Sequence, residues 1–159
     1  MLKYIYIYIY MSFIAICGGG GKTFISNKYP DKFLDLDEFI YSYIEPNKKK
    51  ELMIHIKNNN FDEIGNIYKD TMIQNKDKLC NINKIVLGHH PINAEYLGLE
   101  CIDIIKPNKS LHEENIKSRE DIMKKIARNC WNNLLNSYIY NSHSELELKL
   151  LLHVKKVIL

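Results

Sequence analysis

The chain has 159 residues, of which 46% are apolar, with 22 Lys and Arg against 19 Asp and Glu. This length suits about one domain. A mixture of apolar residues with charges of both signs excludes collagen-like and strongly charged disordered proteins. The net charge is only +3, and 20 of the 22 basic residues are lysine. Composition therefore gives no reason to expect a nucleic-acid partner.

Four cysteines lie far apart in the sequence: Cys17, Cys80, Cys101 and Cys130. None belongs to a Cys-x-x-Cys pair or to a Cys/His set with zinc-ligand spacing. We therefore predict buried, reduced thiols and a cytoplasmic protein.

Residues 1–17 are almost entirely apolar or aromatic after Lys3, so a signal peptide and a membrane span both have to be considered. The segment is shorter than the ~20 residues of a membrane-spanning helix, and no small-residue cleavage site follows it. It also contains four tyrosines. We predict no membrane association. We further predict that residues 1–10 are extraneous or disordered, and that residues 11–159 form a single domain.

Apolar runs and breaker residues along the rest of the chain predict alternating strands and helices. Strands are predicted at residues 13–17, 32–36, 84–88 and 101–105. Helices are predicted at residues 22–28, within 38–74, between Pro91 and Gly98, and in a long segment after Ser118. The tail, residues 146–159, is predicted to be a helix followed by a final edge strand. Strands separated by helices indicate an α/β fold of three layers, with helices on both faces of a mainly parallel sheet.

Two of the predicted helix starts have the spacing of a capping box, Asn60 with Glu63 and Ser118 with Asp121. In the second helix, apolar residues at helical spacing predict a buried stripe: Met123, Ala127, Cys130 and Leu134. Trp131 is predicted to pack in or near the core.

The strongest chemical signal is the loop Gly18–Gly21, which is followed by Lys22 and Thr23 and lies between a predicted strand and a predicted helix. Consecutive glycine amides can turn toward phosphate oxygens, the helix N-terminus adds positive partial charge, and Lys22 adds a full one. Thr23 would present its hydroxyl to Mg²⁺ carried by the phosphates. The full pattern for such a loop has a further glycine where Ile16 stands, so this loop is two residues short. An ordinary glycine turn at a strand end is the alternative interpretation.

Asp35 and Asp37 leave the second predicted strand in alternation, so both carboxylates can point to one place near its carboxyl end. Ligands of open parallel sheets bind at that end. One carboxylate would hold Mg²⁺ or its water, and the other would accept a proton from a substrate hydroxyl. Alternatively, Asp37 simply caps the helix that begins at Glu38.

The third predicted strand ends in Gly88, His89 and His90 rather than in an acidic residue. Either imidazole can reach a phosphate or an acceptor from this position, although a residue before proline is often fixed by turn geometry alone. Arg119 and Arg128 are the candidates to stabilise a transferring phosphoryl group. They are nine residues apart and project from opposite sides of a regular helix of about 3.6 residues per turn, so only one can reach a given phosphate.

A strand, a Gly-Lys-Thr loop, a short helix and a second strand ending in LDLDEF together resemble the small P-loop kinases of the nucleoside, nucleotide, shikimate and gluconate group. The later stretches VLGHHP, NAEYLG, CIDIIKP, SLHEENIKSRED and KIARNCWNNL follow in an order that is similar to uncharacterised phage-type nucleotide-kinase-like proteins. The resemblance covers roughly residues 13–136.

This resemblance implies transfer of a phosphoryl group from ATP to a small acceptor, most directly a nucleoside or a nucleotide. The implied catalytic residues are Lys22, Asp35, Asp37 and Arg119, where Arg119 is favoured because its segment resembles a kinase lid. The implied nucleotide-binding residues are Gly18, Gly19, Gly20, Gly21, Lys22 and Thr23, and the implied Mg²⁺ ligands are Thr23 and Asp37. The short loop and the missing third-strand acid leave two alternatives open. One is a nucleotide-binding module without turnover, and the other is an interaction protein whose glycines only form a turn.

Overall fold

The computed structural model describes residues 11–79 and 82–157. Its strands are Ser12–Ile16 (β1), Phe33–Asp35 (β2), Ile85–Gly88 (β3), Glu100–Pro107 (β4) and Tyr138–Tyr140 (β5). Its α-helices are Lys22–Lys28 (α1), Leu36–Tyr43 (α2), Pro46–Lys57 (α3), Phe61–Asn75 (α4), Pro91–Leu97 (α5), Lys109–Ile116 (α6), Asp121–Asn133 (α7) and His143–Val157 (α8). A 3₁₀ turn at Lys76–Lys78 follows α4.

The strands form one sheet in the order β2-β3-β1-β4-β5, and every neighbouring pair is parallel. The predicted three-layer α/β fold is therefore confirmed. From the central strand β1 the chain crosses to β2 on one side, whereas from β3 it crosses back over β1 to β4 on the other side. A crevice opens at the carboxyl ends of adjacent strands whose connections diverge in this way. The glycine loop, which directly follows β1, lies at this crevice.

Strand β1 is buried along its whole length and alternates between two cores. Phe13 and Ala15 pack into a core under α2, α4, α5 and α7, and Ile14 and Ile16 pack into a core under α1 and α8. A smaller apolar cluster joins the helices that follow β2: Ile44, Leu52 and Ile67. Burial on both faces explains why this strand is an unbroken apolar run in the sequence.

The order of the last elements was predicted wrongly. The edge strand is Tyr138–Tyr140, and it precedes the final helix, which continues to Val157. Leu146 and Leu150 are fully buried one helical turn apart, so the tail follows a helical and not a strand period. Two residues at its end, 158 and 159, lie outside the described residues, as do residues 1–10, for which we predicted an extraneous segment.

Both predicted capping boxes were also wrong in their hydrogen bonds. Asn60 is the N-cap residue of α4, but its side chain accepts no capping hydrogen bond. Helix α7 starts after Glu120, and Ser118 lies outside it. A side-chain cap occurs instead at α6, where Asn108 accepts from the backbone amide of Leu111.

The buried stripe of α7 forms in part. Ala127 and Leu134 are buried, Cys130 is half-buried, and Met123 is 37% exposed. Trp131 packs against the core as predicted.

The cysteines that the structure describes are free thiols, as predicted, but only Cys17 is fully buried. Burial is the main reason that the pKa of Cys17 is raised to about 12, which keeps this thiol protonated. Cys101 and Cys130 are half-buried, and Cys80 lies outside the described residues. Within the described ranges, no helix is both long enough and apolar enough to cross a membrane.

Close packing at the end of β3 gives a first prediction. A methyl group added at Gly88 would lie 2.4 Å from Cζ of Phe13. Gly88→Ala should therefore lower the free energy of unfolding by about 1–3 kcal/mol, because an overpacked core has to shift. Gly65→Ala is the matched control, since Gly65 is inside α4 and nothing lies within 4 Å of the added methyl. That variant should gain about 0.5–1 kcal/mol from helix propensity. Urea unfolding measures both, and a Gly88→Ala protein as stable as the wild type would contradict this account.

Candidate functional site

The glycine loop is a tight turn that requires glycine for two reasons. Gly19 and Gly21 have φ values of 78° and 88°, in the left-handed region that other residues seldom adopt. Gly20 has no room for a side chain, because a methyl group there would lie 2.4 Å from Cγ2 of Ile16. The amide of Gly20 donates to the carbonyl of Cys17 at 2.9 Å and closes the turn. The loop thus delivers the chain from the end of β1 directly into α1.

The loop carbonyls are hydrogen-bonded by side chains from α6 and β5. His112 Nε2 donates to the Gly18 carbonyl at 2.8 Å, and Asn115 Nδ2 donates to the Gly19 carbonyl at 2.9 Å. The hydroxyl of Tyr140 donates to the Gly20 carbonyl. These partners are 94 to 120 residues away in sequence. Sequence reasoning missed all three, and the only available signal was a possible helix after Asn108 that carries His112 and Asn115 one turn apart.

Lys22 is the first residue of α1, and its side chain is only 6% exposed. Its ammonium group lies 3.2 Å from the carbonyl oxygen of Ile16 and 3.3 Å from Oδ2 of Asp37. A buried ammonium needs such partners, because its transfer from water is costly without them. The Lys22 charge is therefore held at the carboxyl end of β1, beside the glycine loop.

The structure brings Asp35 and Asp37 together with the loop, and it gives them different partners. Asp35 ends β2, caps α2 by accepting from the Asp37 amide at 3.1 Å, and accepts from Thr23 Oγ1 at 2.8 Å. Asp37 lies in the first turn of α2, where its Oδ2 is 2.9 Å from His89 Nε2 and 3.3 Å from Lys22 Nζ. Asp35, and not Asp37, is therefore the capping residue, and it is Asp35 that lies beside Thr23.

Burial by itself would raise the pKa of Asp37. The attraction of His89 and Lys22, together with their hydrogen bonds to the carboxylate, outweighs burial and holds the pKa well below its ordinary value. Asp37 is consequently ionised throughout the physiological range. It presents a fixed negative charge where the ends of β2 and β3 meet the loop.

A cavity of about 1030 Å³ opens in front of the loop and these carboxylates. Its walls come from the loop, α2, α4, α5 and α7, and they include Tyr68, Met72, Tyr96, Ile126 and Asn129. Burial and the nearby charge of Asp37 raise the pKa of Tyr68 to about 12, so its hydroxyl stays protonated. Its volume lies at the upper end of the range of single-ligand pockets, which usually measure about 300–1,000 Å³.

The two arginines have different environments. Arg119 lies in the turn between α6 and α7 and lines the cavity. Arg128 is exposed and forms two hydrogen bonds to Glu113, at 2.6 Å and 2.9 Å. The expectation that one helix carries both arginines was wrong, because α7 begins at Asp121 and contains only Arg128. Arg119 precedes that helix and faces the loop cavity.

The two histidines after β3 also differ. His89 contacts Asp37, as described above, and lines the cavity. His90 Nδ1 accepts from the Ile92 amide at 3.2 Å and caps α5, so its geometry is largely that of the local turn. Among the described residues there is no cluster of three or more His, Cys, Asp or Glu side chains suited to a metal. The oxygens that lie together near the loop are the Thr23 hydroxyl and the Asp35 carboxylate.

The lowered pKa of Asp37 predicts how stability depends on pH. Its ionisation contributes stability above the ordinary aspartate pKa of about 3.9, and this contribution is lost as the pH falls below that value. The melting temperature of Asp37→Asn should therefore lie furthest below that of the wild type near neutral pH. The difference should shrink steadily below about pH 4. Asp31→Asn serves as the control, because Asp31 is exposed, pairs only with Lys32 and should contribute little at any pH. A difference that does not vary with pH would contradict the ion-pair assignment.

A comparison of the sequence with models of known protein families finds no match, and no curated protein is significantly similar to the chain.

Proposed function

We propose that the protein transfers the γ-phosphoryl group of ATP·Mg²⁺ to a small-molecule acceptor, a nucleoside or a nucleotide in the first instance. The observation that carries this proposal is a four-glycine turn with a buried lysine ammonium beside it. Side chains of α6 and β5 donate hydrogen bonds to the carbonyls of this turn. Backbone amides and one fixed positive charge at a helix N-terminus are the usual elements of a phosphate site.

The residues present fit the cation that would accompany the phosphates. Thr23 Oγ1 and the buried carboxylate of Asp35 are hard oxygen donors within hydrogen-bond distance of one another. Mg²⁺ in phosphoryl-transfer sites takes one or two protein oxygens and completes its shell with phosphate oxygens and water. When bound, it would neutralise charge that develops on the transferred group. Asp35, rather than the Asp37 that the family resemblance implies, is therefore the proposed carboxylate ligand of this cation, because it is Asp35 that contacts Thr23.

Asp37 has the position of a group that orients the acceptor. Its carboxylate is ionised, it faces the cavity, and His89 and Lys22 fix its orientation. A hydroxyl that donates to Asp37 would be held near the loop, and the same carboxylate can take its proton as the bond to phosphorus forms. Catalysis of this kind depends mostly on positioning and on electrostatic stabilisation.

The second candidate function is a nucleotide-binding module that does not turn over. Two observations favour it, namely the loop that is two residues short and a β3 that ends at Gly88 and is followed by His89 instead of an acid. A shorter loop supplies fewer amides to the phosphates. The two candidates differ in one measurable respect, namely whether any acceptor is phosphorylated.

Lys22→Ala tests phosphate binding. Loss of a charged partner should weaken ATP·Mg²⁺ binding by about 10–100-fold, since hydrogen bonds to charged groups contribute about 1.5–3 kcal/mol. Lys28→Ala is the matched control on the same helix, where Lys28 is 46% exposed and pairs with Glu147. Calorimetric titration gives the affinities.

ATP consumption with panels of nucleosides, nucleoside monophosphates and small polyols separates the two candidate functions. If the wild type binds no ATP·Mg²⁺, the proposed function is wrong, and if it binds ATP but phosphorylates no acceptor, the module is favoured.

Arg119 provides a test of turnover. Arg119→Gln should lower kcat by at least about tenfold, because a guanidinium stabilises charge on the transferred group. Arg128→Gln should leave kcat within about twofold, because an exposed pair with Glu113 contributes little. Steady-state kinetics with the best acceptor compares the two variants, and equal effects would remove Arg119 from the proposed mechanism.

A further inference from the structure

We propose that His112 and Tyr140, which together with Asn115 are here called the carbonyl clamp, are positioning residues that orient the Gly19 and Gly21 amides of the shortened glycine loop toward phosphate, while Asn115 holds the peptide between them. This inference rests on the proposed function and adds a set of residues to it. The clamp residues come from α6 and β5, outside the loop, and each donates a hydrogen bond to a different loop carbonyl.

The planarity of the peptide bond converts these contacts into amide directions. In a trans peptide the N–H of one residue points opposite to the carbonyl of the residue before it. The clamped carbonyls of Gly18 and Gly20 therefore fix the amides of Gly19 and Gly21, which point away from α6 and β5. The amide of Gly20 is already used, because it donates to Cys17. Within residues 11–79 and 82–157, the amides of Gly19 and Gly21 have no acceptor of their own and remain available to a ligand.

The loop needs this support because it consists of four successive glycines. Glycine loses more conformational freedom on ordering than any other residue, so an unsupported tetraglycine segment would sample many arrangements. A loop two residues longer could wrap a phosphate with more amides. Here fewer amides are available, so the orientation of each one has a larger effect on affinity.

The clamp is itself rigid. His112 is 2% exposed and Tyr140 is fully buried. The His112 ring stacks against Trp131 with centroids 6.1 Å apart, and Trp131 Nε1 donates to the carbonyl of Pro107 at 2.8 Å. Burial lowers the pKa of His112, so the ring is neutral and has one N–H. A carbonyl acceptor opposite Nε2 places that proton on Nε2.

Neither His112 nor Tyr140 lines the large cavity in front of the loop. Neither residue can touch a ligand in this cavity. Either one can therefore affect phosphate binding only by changing the conformation of the glycine loop, to which it donates a hydrogen bond. Asn115 does line the cavity and can touch a ligand directly, so it is not used as a test position.

Tyr140→Phe is the sharpest test, because it keeps the buried ring and removes only the donor to Gly20. Affinity for magnesium tripolyphosphate and for ATP·Mg²⁺ should fall by about three- to tenfold, as expected for one lost hydrogen bond. Tyr138→Phe is the matched control on the same strand, since the Tyr138 hydroxyl bonds to Glu145 outside the cavity. A second pair tests His112. His112→Leu should weaken binding, and His112→Gln, whose amide can still donate, should restore much of it.

A direct readout comes from protein labelled with ¹⁵N-glycine, because the chain has only seven glycines. Magnesium tripolyphosphate should move the Gly19 and Gly21 amide resonances strongly in the wild type and less in Tyr140→Phe. Gly98, in the turn after α5, is the internal reference. A purely structural role for Tyr140 would change the melting temperature but not these shifts.

The outcomes separate this inference from the function on which it rests. Wild-type protein that binds neither tripolyphosphate nor ATP overturns the proposed function and the clamp's role together. Wild-type protein that binds both, alongside Tyr140→Phe and His112→Leu proteins that bind equally well, overturns the clamp alone. Should His112→Leu fail to fold, the comparison of Tyr140→Phe with Tyr138→Phe decides the question.

Discussion

The buried ammonium group of Lys22 is the constraint on which the arrangement of the site depends. A charge that is 6% exposed has lost most of its water and must be compensated within the protein. Asp37 and the Ile16 carbonyl provide that compensation, and they belong to α2 and β1. One lysine therefore ties α1, the helix after the loop, to α2, the helix that follows β2. Because α1 and the start of α2 lie close together, Thr23 is also beside Asp35.

Two carboxylates that are two residues apart thus have separate tasks. Asp35 is buried, caps α2 and holds the Thr23 hydroxyl, so it organises the region where a cation would bind. Asp37 faces the cavity and balances two basic groups, so it organises the region where an acceptor would bind. The division follows from the change of backbone at this point, where Asp35 ends a strand and Asp37 lies in the first turn of a helix.

Much of this site could be predicted from local sequence. An apolar run followed by glycines, lysine and threonine predicts the strand, turn and helix, because each element depends on neighbouring residues. Asp35 and Asp37 are predicted to share a site because alternate residues of a strand point the same way, but the strand ends at Asp35 and Asp37 reaches the loop from the first turn of α2. The contacts of His112 and Tyr140 with the loop could not be found in this way, since they join residues about a hundred positions apart. Nor could the edge strand Tyr138–Tyr140, because three residues, of which only Tyr140 is buried, are too few to show a strand periodicity.

The shortness of the outer strands has a consequence for how molecules of this protein meet one another. Both edges of the sheet, β2 and β5, are only three residues long, and each is followed within a few residues by a helix. An incoming extended segment from another copy would find few free backbone groups along β2 and β5 themselves. On the flank of β5 this protection covers only Ile105–Pro107, the part of β4 that β5 pairs with, whereas on the opposite flank β2 covers β3 from Ile85 to Leu87.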